Sequence, residues 1–131
     1  MSTTTAPSAV KVAFDKQDQL AQIQGTLLPG ETLYAVYDCT GAGTGFVAVT
    51  NFRVILQDKS FVGKMIAVTS VPYRQVQSIS IVSNKSAMGS FFSSGSLAIT
   101  AGGKDHVAEF RGTEKVKHIH DVVMHHLLQV R

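Results

Sequence analysis

Between Gly45 and Asp58 two β-branched, apolar runs flank a short polar break, the pattern of a β-hairpin. Thr50-Asn51 supplies turn chemistry, because Asn tolerates left-handed backbone angles and can bond its own backbone. Phe52 fits poorly in a tight two-residue type I′ turn, so a longer or irregular connection is expected. A period of two recurs along the chain. Glu31 to Asp38 sets Leu33, Ala35 and Tyr37 on one face and Tyr34 and Val36 on the other. Lys64 to Ser70 carries Ile66 and Val68 on one face, and Val76 to Val82 points Ile79 and Ile81 inward, with Ser78 and Ser80 opposite. Pro72 cannot donate to a central ladder, which predicts a corner at residues 71–74. Leu97 to Ala101 and His106 to Phe110 form a last pair of strands around Gly102-Gly103, a two-residue hairpin signal. The total is seven strands.

Near both ends the period lengthens to that of a helix. Asp15 reads as the N-cap of a short helix that groups Leu20, Ala21 and Ile23 on one side and ends at Gly25. Thr113 reads as the N-cap of a longer one, with Glu114 placing negative charge in its first turn. Val116, Ile119, Val123, Leu127 and Val130 then form one apolar stripe. Burying such a stripe contributes roughly 1.5–3 kcal/mol per large side chain, far more than capping, so this helix must dock on the sheet. Residues 1–13 open on a small, polar stretch without periodicity and are expected to be a flexible tail, leaving 14–131 as a single domain.

Composition narrows the class without choosing a partner. A chain of 131 residues can bury a core without disulfides or a metal, and 44% hydrophobic against 16% charged residues is a globular balance. The net charge of +3 is spread along the chain with no basic run, which argues against nucleic acid. The one cysteine, Cys39, cannot form an intramolecular bridge, and no secretory signal pattern opens the sequence, so a cytoplasmic setting is the expectation. No uninterrupted apolar stretch is long enough to span a bilayer as a helix, so any membrane contact would be peripheral.

Candidate chemistry is sparse. The glycines at 41, 43 and 45 are followed by a strand, not a helix, which removes the dinucleotide reading. His118, Asp121 and His125 share one face of the C-terminal helix; a solvated face needs the same residues as a metal site and nothing else, so no metal or cofactor is assigned. No nucleophile with an adjacent base and no carboxylate pair is recognisable, so no enzyme is expected. Arg53 either grips an anion or pairs with a nearby carboxylate. Met88, Phe91 and Phe92 interrupt a Ser- and Gly-rich stretch and are candidates for core residues on a strand, for a wedge into a membrane surface or for an interface between subunits, core or interface being the commoner.

Seven short antiparallel strands followed by one amphipathic helix resemble the pleckstrin-homology-like barrel, in which two near-orthogonal sheets are plugged at one corner by the helix. Leu28-Pro29-Gly30-Glu31, Thr50-Asn51-Phe52-Arg53-Val54-Ile55 and Gly95-Ser96-Leu97-Ala98-Ile99 are similar to the bacterial pleckstrin-homology families over residues 27 to 130. The resemblance implies a mainly β fold with a C-terminal helix, and it places Lys59, Lys64 and Lys104 near the open end of the barrel, where with Arg53 they are the candidate ligand contacts. Phosphoinositide-binding relatives carry several basic residues between the first two strands, whereas Asp38 to Gly45 has none. The resulting expectation is a non-enzymatic interaction or scaffold module that binds protein or peptide and assembles with copies of itself. Peripheral attachment to an anionic membrane is the alternative.

Overall fold

The fold is taken from a computed structural model that describes residues 11–41, 43–58, 66–82 and 94–130. In chain order the elements are β1 (Ala13–Phe14), α1 (Gln17–Gln24), β2 (Leu33–Asp38), β3 (Thr44–Thr50), β4 (Arg53–Asp58), β5 (Ala67–Pro72), a 3-10 turn (Tyr73–Gln75), β6 (Val76–Val82), β7 (Ser94–Ala101), β8 (Lys104–Arg111) and α2 (Thr113–Gln129). β1 to β5 form one sheet in sequence order, and β6 to β8 form a second. All pairs are antiparallel except β1 with β2, where Ala13 and Phe14 lie parallel to Ala35 and Val36. The seven expected strands are present; β1 is an eighth among the described residues, too short to show a period.

The first sheet buries both faces. Ala35, Tyr37, Val47, Val49, Val54 and Leu56 face the main core with Leu97, Ile99 and Phe110 of the second sheet and Val116, Ile119 and Val123 of α2. Val36, Phe46, Ala48 and Ile55 face outward into a second cluster with Leu20 and Ile23 of α1. Doubly covered strands are apolar at nearly every position, which is why β2 and β3 show so little polar alternation. A bulge between Leu33 and Ala35 turns Leu33 to the outer cluster, so it does not share the face of Ala35 and Tyr37 as simple alternation predicts.

Local chemistry shapes the connections. Tyr73 to Gln75 makes the expected corner after Pro72, which ends edge strand β5. Gly102 and Gly103 take φ of 61° and 77°, as a two-residue hairpin requires. No described non-glycine residue has positive φ, so the β3–β4 turn is not type I′, in accord with Phe52. Across the barrel, the Thr40 amide donates to the Glu109 carbonyl at 2.8 Å and the Thr44 hydroxyl to the Val107 carbonyl at 2.7 Å, which ties the β2–β3 connection to β8.

Several expectations are corrected. The N-cap of α1 is Lys16, because the Asp15 carboxylate is drawn to the Asp38 amide and to Lys115, each at 2.9 Å; Ala21 faces solvent. Gly112, with φ of 112°, precedes α2 in place of a Thr113 cap. Ile81 is half exposed, since the first turn of α2 does not reach far enough to cover it, whereas Ile79 packs on the core. Ile66 and Val68 share a face, but that face is exposed. Val130 lies beyond the end of α2 and is exposed, and Leu127 is only partly buried. The cost of truncation along α2 should follow this gradient. Ile119→Ala should destabilise the chain by about 2–5 kcal/mol in denaturant unfolding, and Leu127→Ala by distinctly less. Equal costs would mean that the helix seats differently.

Candidate functional site

Two of the three segments that carry the family resemblance, Leu28 to Glu31 and Thr50 to Ile55, converge on one buried carboxylate. Leu28 to Glu31 is a β-turn closed by the Glu31 amide on the Leu28 carbonyl at 2.9 Å, with Gly30 at φ 81° after Pro29, as a type II turn demands. The turn aims the fully buried Glu31 side chain at the β3–β4 hairpin. Glu31 Oε1 accepts from the Leu28 amide and Arg53 Nη2, both at 2.9 Å. Oε2 accepts from Arg53 Nε at 2.8 Å and the Thr50 hydroxyl at 2.7 Å. Thr50 Oγ1 in turn accepts from the amides of Phe52 and Arg53, which shapes the turn that sequence left open. Asn51 clasps the other side: its Oδ1 accepts from the Thr32 amide at 2.7 Å and its Nδ2 donates to the Gly30 carbonyl at 3.2 Å.

Arg53 is therefore the carboxylate partner, the second of its two sequence readings. Its Nη1 also donates to Ser70 Oγ at 2.9 Å and its Nη2 to the Thr26 carbonyl at 3.0 Å, so the guanidinium joins β4, β5 and the start of the α1–β2 loop. Burial by itself would raise the Glu31 carboxyl. The Arg53, Leu28 and Thr50 bonds and the Arg53 charge outweigh burial and hold it below its ordinary value.

The other candidates lie apart from this latch. Lys104 is exposed at the start of β8 and borders a depression of about 200 Å³ shared with Thr44, Asp58, Thr69 and Asp105. Lys59, Lys64, Met88, Phe91 and Phe92 lie outside the described residues.

The helix histidines are engaged separately. The Tyr37 hydroxyl meets His118 Nδ1 at 2.7 Å. Burial, then Asp15 and Glu114, push the Tyr37 phenol up. Asp121 pairs with Lys117 at 2.7 Å and His120 at 3.1 Å, and His125 meets Gln129 at 3.2 Å. Among the described residues no group of three His, Cys, Asp or Glu side chains could hold a metal ion. Sequence reasoning missed His126, which stacks on Tyr73 at 5.1 Å and 14° while its Nδ1 donates to the Val122 carbonyl. Its position three residues after buried Val123 was the available signal.

Sequence reasoning also missed an apolar groove of about 360 Å³ between the end of β6 and the first turns of α2. Ile81, Val82 and Val116 line it, with Glu114 and Lys117 among its lining residues. Gly95 sits under the helix, where a Cβ would lie 3.2 Å from Val116 Cγ2, so the absent side chain allows α2 its close approach. No described helix is long and apolar enough to cross a membrane.

The sequence profile described as Bacterial PH domain matches residues 4–127. A solved pleckstrin homology domain from Shewanella amazonensis SB2B superposes with a TM-score of 0.62 at 23% identity, over 87% of this chain and 99% of that one. At that identity the likeness speaks to fold alone. No curated protein matches the chain.

The latch generates a pH dependence. The Glu31 carboxyl is depressed on folding, so its stabilisation is fully present above its ordinary value of 4.5 and is lost as pH falls through the lower folded value. Glu31→Gln should cost stability at neutral pH and flatten the loss of stability below about pH 4.5 in unfolding measured against pH. An unchanged acid slope would remove the carboxylate from this role.

Proposed function

The chain belongs to the bacterial PH domain family, and on that premise we propose that it is a non-enzymatic interaction or scaffold module that binds protein or peptide in the cytoplasm and associates with copies of itself. The observation that carries this is the β5 edge of the first sheet, which has no strand neighbour among the described residues. β5 is the outermost strand there, and Ile66 and Val68 beside its edge are 58% and 43% exposed. An unpaired edge with apolar side chains offers backbone groups and apolar surface to another strand, and natural monomers usually blunt such edges with Lys or other charges. Of the two offered ligand contacts among the described residues, Arg53 is bound into the fold and Lys104 is exposed beside Asp105.

Attachment to anionic lipid has less behind it. Lys59 and Lys64 lie outside the described residues, and Lys104 shares its hollow with Asp58 and Asp105. Sedimentation velocity tests the leading reading. Wild type should sediment heavier than a monomer, and Val68→Lys, at an exposed position that tolerates charge, should shift it toward monomer. A monomeric wild type would remove self-association, and an oligomer indifferent to Val68→Lys would move its contact elsewhere.

A further inference from the structure

Beside the C-terminal half of α2 lies a hollow of about 310 Å³ that is separate from the latch and from the sheet edges. Tyr34, Asp121, Val122, His125 and His126 line it, so its wall is mainly rings. The His126 ring stacks on Tyr73 at 5.1 Å and lies 5.5 Å from the Tyr34 ring and 4.9 Å from that of His125. Tyr73 is buried and its hydroxyl is bound to the Thr50 carbonyl, which anchors the stack in the framework. The rings therefore stand in place before any ligand arrives.

Charge separates this hollow from the other two. The groove at β6 is lined by Lys117 as well as Glu114, and the depression at β8 by Lys104 as well as Asp58 and Asp105. Here Asp121 is the one Asp, Glu, Lys or Arg in the lining among the described residues. Its bonds to Lys117 and His120 hold its carboxyl below the ordinary value and keep it ionised, although Lys117 offsets part of its charge. His125 meets Gln129 at 3.2 Å and His126 meets the Val122 carbonyl at 2.9 Å, contacts that need no charge on either imidazole. The last turn of α2 holds no Lys or Arg, and its end carbonyls add partial negative charge. A cation entering the hollow thus meets rings and negative potential, with no lysine or arginine in the wall.

These features select among ligands. An anion would meet Asp121, and among the described residues no group of three side chains could hold a metal ion. A cation whose charge is spread over methyl groups gives up little hydration and is attracted by ring faces within about 6 Å. The geometry points to a site for a quaternary ammonium group, seated between Tyr34 and the His125–His126 pair with Asp121 beside it. The site lies apart from the β5 edge and stands or falls independently of the interaction-module reading.

The test titrates the isotope-labelled full chain with choline at about pH 8, above the range in which imidazole charges, at ionic strength held constant with sodium chloride. Amide shifts should concentrate at Tyr34 and at Asp121 to His126, with a dissociation constant on the order of a few millimolar. The neutral carbon isostere of choline, dimethylbutanol, should bind at least a few-fold more weakly, because it keeps the methyl groups and loses the charge. Tyr34→Phe should retain choline binding, whereas Tyr34→Leu should weaken it several-fold. Asp121→Asn, on an exposed position, should weaken it without disturbing the fold. Phosphatidylcholine vesicles distinguish the source: retention on them but not on phosphatidylglycerol vesicles supports a lipid headgroup, and choline shifts without retention support a free solute. Absence of shifts, shifts elsewhere, equal binding of choline and its isostere, or choline affinity unchanged in both Tyr34→Leu and Asp121→Asn would overturn the proposal.

Discussion

A carboxylate at the end of one turn and a guanidinium at the start of one strand hold this barrel in register. Glu31 is fully buried, and its four hydrogen bonds come from three separate places: the Leu28 amide, the Thr50 hydroxyl and two nitrogens of Arg53. A buried charge is costly unless its lone pairs are met, so the surroundings must be built around it. The type II turn at Pro29-Gly30 is needed to aim it. The Thr50 hydroxyl must both donate to Glu31 and accept the two amides of its own turn. With the hairpin held in that way, Tyr73 can close the corner, its hydroxyl donating to the Thr50 carbonyl from a buried site.

From that corner the remaining geometry follows. The first sheet is held between α1 outside and the main core inside, the chain crosses through Tyr73 to Gln75 into the second sheet, and α2 lies over the open side with Gly95 beneath it. The polar residues with the best geometry are thus consumed by architecture. What remains outward among the described residues is strand edge, apolar side chain and a few charges.

Alternation and helical spacing made the sheets and α2 legible, because burying one face imposes a period on the residues. The Leu-Pro-Gly-Glu and Thr-Asn-x-Arg segments were legible as a resemblance, and the pairing of Arg53 with a carboxylate as one of two options; that the carboxylate is Glu31 was not, since nothing local joins residues so far apart. A period also says which residues share a face without saying what covers that face. Ile81 has the right phase to be buried, yet α2 begins too late to cover it. Leu33 illustrates the converse, as a one-residue bulge breaks the phase without any glycine or proline to announce it. Asp15 is a fair N-cap by residue type, but Asp38 and Lys115, distant in sequence, compete for it and win.

The account places the family's motif in the framework and any recognition on the β5 edge and the hollow beside α2. Its central claim is that Glu31 and Arg53 act as one unit of the fold. A double-mutant cycle in denaturant unfolding, with Glu31→Gln, Arg53→Met and the pair together, measures this directly. The predicted result is a coupling of about 1 kcal/mol or more, the double variant losing less than the sum of the singles. Additivity to within a few tenths of a kcal/mol would contradict it.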